Sequence, residues 1–169
     1  MDYCPFLSIF GFEAVIHLHK SLSIFIKRTR MSTYFKLEEF LRSDTAKANK
    51  IANNPSWEVV EHLKTLALFL DGLREKWGPI NVTSGFRCEE LNVKVGGKNR
   101  SAHKMGYAAD IQPNATRDFE KFKQTVLNWI QDKDFDQCII ESSGGTTWIH
   151  IGLYNQDMEQ RHETFSLRV

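Results

Sequence analysis

Two short runs carry residue types that can do chemistry. Ser101 to Ile111 reads S-A-H-K-M-G-Y-A-A-D-I, and Trp148 to Ile151 reads W-I-H-I. Between them they offer two imidazoles and a carboxylate: His103, Asp110 and His150. A hydrolytic zinc site needs such a set, with two or three imidazoles, often one carboxylate, and one coordination position left for water. If both runs contain strands, side-chain alternation aims the right groups the same way. Ile149, Ile151 and Leu153 then form one face of the later strand, and Trp148, His150 and Gly152 the other. In the earlier strand Ala109 and Ile111 lie opposite Ala108, Asp110 and Gln112. Asp110 and His150 can therefore line one sheet surface, with Trp148 as a pocket wall. His103 precedes its strand in a loop, where Gly106 permits a tight turn that brings the ring back. Spacing alone leaves a plainer reading open, with His103 as a solvated loop residue, Asp110 as a turn acceptor and His150 as an exposed strand residue.

Short elements must position these groups. Leu37 to Arg42 reads as a short helix, followed by a polar stretch from Ser43 to Asn54. Asn54-Pro55 is a helix start, with proline at the first helical position. Trp57, Val60, Leu63, Ala67, Leu70, Leu73 and Trp77 then recur at helical spacing and predict one broad apolar face. Gly78-Pro79 stops that helix, and the β-branched run Ile80 to Ser84 predicts a strand. Leu91 to Val95 reads as a helical turn, Gly96-Gly97 as a loop and Tyr107 to Gln112 as a strand. Thr116 is the expected cap of a second helix, whose face is Phe119, Phe122, Val126 and Ile130. Phe135 to Glu141 and Trp148 to Leu153 read as strands joined by a Ser-Ser-Gly-Gly turn. Helices and mostly hairpin-linked strands in this order predict an α+β domain.

Composition narrows the function. At 169 residues the chain holds one ordinary domain with a real core. A net charge of +1, with no basic stripe interleaved with aromatics, gives no case for nucleic acid. Cys4, Cys88 and Cys138 have no C-x-x-C spacing and read as idle or buried thiols rather than as disulfides or zinc thiolates. Residues 1–30 differ in character. Their apolar runs, Phe6 to Phe10 and Val15 to Ile26, are interrupted by Glu13, His17, His19 and Lys20. None reaches the length of about 18 residues that a membrane span requires. Asp2 near the start, and the lack of an A-x-A site, argue against a signal peptide. We read 1–30 as a non-domain extension, with Met31 as the natural start of a single domain over 31–169. A weak amphipathic membrane-surface segment is the alternative.

The chemistry-bearing runs resemble the zinc D-alanyl-D-alanine carboxypeptidase family. S-A-H-K-M-G-Y-A-A-D-I is similar to its S-x-H-x-x-G-x-A-x-D signature, and W-I-H-I to its closing W-x-H strand. T-S-G-F-R-C-E-E-L-N, from Thr83 to Asn92, resembles S-G-Y-R-S-x-x-L-N. Val95-Gly96-Gly97 matches the V-G-G that often follows. Upstream, F-K-L-E-E-F-L-R-S-D-T-A from Phe35 is similar to the branch called peptidase M-fifteen-A C-terminal. The resemblance runs from about Tyr34 to Tyr154 and does not reach residues 1–30. Several motifs in the right order are far more specific than any one alone.

The resemblance implies the hedgehog/DD-peptidase fold, a small mostly antiparallel sheet with helices on one face. It implies zinc held by His103, Asp110 and His150, substrate contact by Arg87, and a glutamate as general base. Many relatives carry an acid three positions before the last histidine, where this chain has Thr147. Glu141 is the remaining candidate, with an ordinary solvated carboxylate as the alternative. Arg87 suits a bidentate grip on a carboxylate or oxyanion; otherwise it is a surface partner of Glu89 or Glu90. Ser101 either bonds substrate or caps a turn, and Trp148 lines the substrate pocket. Gln137 helps shape the site, while His62 and His162 lie outside every motif. The function implied is hydrolysis of amide bonds in peptidoglycan stem peptides, by a D-Ala-D-Ala carboxypeptidase or an endolysin-type endopeptidase acting on the bacterial wall as a monomer. The alternative is a zinc-containing module that binds peptidoglycan or protein without turnover.

Overall fold

A computed structural model describes residues 29–114 and 118–169. Residues 1–28, including Cys4, and the expected cap Thr116 lie outside the described residues. The order is α1 (Leu37–Leu41), α2 (Asp44–Asn49), α3 (Trp57–Trp77), β1 (Ile80–Ser84), α4 (Glu89–Lys94), a 3-10 turn (Ala102–Met105), β2 (Ala108–Pro113), α5 (Phe119–Ile130), β3 (Gln137–Ser143), β4 (Thr146–Gly152) and β5 (Glu163–Arg168). The strands form one open sheet in the order β1-β2-β4-β3-β5. Every pairing is antiparallel except β3 with β5. This is an α+β fold.

One face of the sheet is the core. Val82, Ala109, Ile111, Cys138, Ile149 and Ile151 project into it and meet α3, α5 and α1. The stripe on α3 is Leu63, Leu66, Ala67, Leu70 and Leu73, all fully buried. Spacings of three and four residues keep such a row on one side of a helix. Trp57 does not belong to the stripe, being 78% exposed. Nor does Pro55 open the helix, because Ser56 is the N-cap and its hydroxyl accepts from the Val59 amide. A serine hydroxyl satisfies one of the orphan amides of a first turn, which proline two residues before the helix leaves open. Likewise α5 is capped by Asp118, whose carboxylate accepts from the Glu120 and Lys121 amides.

Two elements were not expected. α2 lies within the polar stretch after α1, capped by Ser43 and burying only Ala46. β5 adds a parallel edge strand with Phe165 and Leu167 exposed. The segment Ser32–Tyr34 is pinned by Asp71 on α3. Its buried carboxylate accepts from the Ser32 hydroxyl and from the Thr33 and Tyr34 amides, and Met31 is buried beside it. Backbone contacts begin slightly earlier, where the Leu37 amide donates to the Thr29 carbonyl.

Candidate metal centre

The other face of the sheet carries the polar groups. Asp110 on β2 and His150 on β4 are direct cross-strand partners. In an antiparallel pair, such partners project to the same side about 5 Å apart. His103 arrives from the 3-10 turn. Gly106 ends this turn at φ 78°, and a Cβ there would stand 2.8 Å from the Val59 carbonyl. Only glycine combines that left-handed backbone with so close an approach to α3. Gly85 serves the same end differently. A Cβ at this position would lie 2.4 Å from the Phe40 carbonyl oxygen. Without one, the chain passes against α1 and points the Gly85 carbonyl at the His103 ring.

That carbonyl lies 2.7 Å from His103 Nδ1. A carbonyl oxygen only accepts, so the proton sits on Nδ1 and Nε2 presents its lone pair to the site. Nε2 lies 3.2 Å from Asp110 Oδ1 and 3.2 Å from His150 Nδ1, which is 3.0 Å from Oδ1. A lone pair and a carboxylate oxygen thus converge with a second imidazole nitrogen in a triangle. Tetrahedral zinc with ligands at about 2.0–2.1 Å would separate them by roughly 3.3 Å. All three residues are buried, where converging acceptors are costly unless a cation or proton lies between them. The donors are borderline to hard, which suits zinc. The three therefore form a group able to hold a metal ion.

Electrostatics follow from burial. Burial pushes the His103 imidazole below its ordinary value, against the pull of Asp110, which leaves its nitrogen free to ligate. Burial pushes Asp110 up, but the facing imidazoles more than offset this, so its carboxyl lies well below the usual range. Arg87 also holds this carboxylate, donating from NH2 to Asp110 Oδ2 at 2.6 Å and from Nε to Ser84 Oγ at 2.9 Å. It thus braces the Asp110 carboxylate from behind, the place an outer partner of a metal ligand would take. No ion pair joins it to Glu89 or Glu90 among the described residues; Glu89 pairs instead with Lys104.

Glu141 lies on β3 as the cross-strand partner of Trp148. Residues two apart share a face, so Glu141, Trp148 and His150 look out from the same side. Glu141 is not part of the ligand group. The β3–β4 ladder holds register beyond Glu141, through Ser142 with Thr147 and Ser143 with Thr146. Thr147 has the opposite parity to His150 and so points to the other face. Ser101 sits just before the 3-10 turn without a side-chain cap bond. Gln137 donates to Glu163 at 2.7 Å. His62 stacks on Tyr107 and hydrogen-bonds the Met105 carbonyl, supporting the turn that carries His103. His162 packs against Phe135, away from the cluster.

Asn53 is a positioning residue that sequence reading passed over. Its amide donates to the Leu41 and Phe86 carbonyls and its oxygen accepts from the Cys88 amide. This clamps the segment bearing Arg87 to α1. An asparagine in a polar stretch gives no sequence signal, since its partners lie up to 35 residues away.

A sheet with one covered face carries, on the other, a buried His-Asp-His group able to hold a metal ion. The family comparison agrees: the model described as Peptidase M15 matches residues 33–152, and the chain belongs to that family of zinc D-Ala-D-Ala carboxypeptidase-like proteins. No curated protein matches the chain. Among the described residues, no helix is long and apolar enough to cross a membrane.

Proposed function

We propose that this chain is a zinc metallopeptidase that hydrolyses amide bonds in peptidoglycan stem peptides. The observation that carries the reading is the His103–Asp110–His150 triangle, with Glu141 on the same sheet face but outside the ligand group. Those three residues would hold zinc, which would supply Lewis acidity and make a water more acidic. Glu141 takes the proton of the attacking water and passes it to the leaving amine, so the carboxylate is restored each cycle. Diagonal cross-strand neighbours lie about 7–8 Å apart at the backbone, which a glutamate side chain can bridge. Arg87 keeps Asp110 ionised and oriented. Trp148 and Ser101 are the further residues assigned to substrate contact in this reading.

Arg87 also favours internal cleavage over removal of a terminal residue. Its Nε and NH2 are engaged by Ser84 and Asp110. A terminal carboxylate could then reach only the NH1–NH2 edge, whose NH2 already serves Asp110. The test offers zinc-loaded protein a free D-Ala-D-Ala stem pentapeptide and cross-linked muropeptide dimers, with products read by mass. Cleavage of the dimers is expected. Release of D-Ala with intact dimers would overturn the endolytic preference. Stoichiometric zinc without turnover of either substrate would replace a peptidase with a zinc-bearing binding module.

A further inference from the structure

The Glu141 carboxylate is anchored on one side. The Trp148 indole Nε1–H donates to Glu141 Oε2 at 2.7 Å. The two are direct partners in the β3–β4 ladder, which continues beyond them to Ser143 and Thr146. The contact therefore sits inside the paired region rather than at a fraying end. Glutamate is among the side chains that lose most rotamer freedom when ordered. An unanchored Glu141 on an open sheet face would spend much of its time turned away from the metal group.

We propose that Trp148 is a positioning residue that acts through Glu141. It occupies Oε2 and leaves Oε1 as the oxygen presented to the attacking water. This rests on the reading of Glu141 as general base. The indole nitrogen is a donor only, and the carbonyl oxygen of a neutral carboxyl accepts better than its hydroxyl. The bond to Oε2 therefore favours the proton taken from water on Oε1, facing the site, from where it leaves to the amine nitrogen. Holding Oε2 thus selects the oxygen that carries the proton, as well as the rotamer. The role differs from that of a pocket wall, which needs only the ring's apolar body.

Trp148→Phe separates the two, because it keeps a ring and removes the N–H. Positioning predicts that kcat falls about tenfold or more, the worth of a hydrogen bond to a charged group. KM should stay within about twofold and zinc content should not change. A substrate wall predicts near-normal kinetics in Trp148→Phe and a raised KM in Trp148→Ala. A second readout does not depend on turnover. In isotopically labelled protein, the Trp148 indole N–H resonance is assigned by its loss in Trp148→Phe. It should move in Glu141→Ala, with or without zinc. Wild-type kcat in Trp148→Phe, or an indole resonance indifferent to Glu141→Ala, overturns the proposal. If the wild-type protein hydrolyses nothing, the peptidase reading fails, yet the resonance still decides whether the indole holds Glu141.

Discussion

Within β4, Ile149 and His150 are adjacent and almost equally buried, at 0% and 8% exposed, yet they face opposite physics. Ile149 enters a close-packed apolar layer between sheet and helices, where each contact favours folding. His150 enters a cluster of polar groups, two imidazole nitrogens and a carboxylate oxygen within 3.2 Å of one another, that need a shared proton or cation to sit together. Burial alone does not distinguish a core position from a site position. The chemistry of the neighbours does, and the two-residue period of the strand lets one segment serve both.

Truncating these two neighbours should have opposite consequences. His150→Ala should abolish zinc binding and reduce hydrolysis to background while the chain still folds, since it removes one polar group from a crowded cluster. Metal analysis after mild chelation and zinc return measures the first. Zinc return should also raise the melting temperature of wild type and not of the variant, because a ligand stabilises only the state that binds it. Ile149→Ala should do the reverse, costing about 2–5 kcal/mol of stability while folded protein keeps its zinc. A full zinc equivalent on His150→Ala would dissolve the distinction. Next in size is Glu141→Gln. It should retain fold and zinc and lose about 10²-fold or more in kcat, the typical worth of a positioned acid–base group. Turnover at the wild-type rate would remove Glu141 from the mechanism.

Legibility in the sequence followed the same division. The core face of β4 and the stripe on α3 announce themselves by period, since apolar packing repeats with the element. The three-residue cluster was legible as residue types, and resemblance to a family ordered them. Three things were not readable. α2 is too short to display a period and buries one alanine. β5 is an exposed edge, and its Phe165 and Leu167 lie in register with Ile139 and Glu141, on the site side rather than in the core. The partners of Arg87 could not be read either, because they depend on how β1 and β2 meet. The ladder is irregular between Val82 and Ser84, and that brings Ser84 opposite Asp110. Such irregularities re-aim side chains near functional sites.

Arg87 is therefore the sharper test of the site face. A residue that grips substrate should, as lysine, mainly raise KM. A residue that braces Asp110 should weaken the metal instead. We expect Arg87→Lys to lower zinc affinity about tenfold, at the lower end for loss of an outer partner, because an ammonium cannot bond Ser84 and Asp110 with one planar fork. Zinc titration with a competing chelator measures this. Unchanged affinity with raised KM would assign Arg87 to substrate.

The smallest effect is expected farthest from both faces, at the start of the domain. Met31 is buried, and the Asp71 carboxylate binds the Ser32 hydroxyl and the Thr33 and Tyr34 amides. A chain of residues 31–169 keeps all of these. It loses the bond from the Leu37 amide to the Thr29 carbonyl and the Arg30 guanidinium bond to the Thr33 carbonyl. The first is worth about 1 kcal/mol, and the second less because it is exposed. For a domain of this size that corresponds to a melting temperature lower by about 2–5 °C. A chain of residues 29–169 should melt with the full-length protein. Zinc content and kcat should be the same in all three, since none of these contacts reaches the sheet. Cooperative unfolding in calorimetry is the measurement. A molten or insoluble 29–169 would show that upstream residues belong to the fold, and would join to the core face a segment here counted outside it.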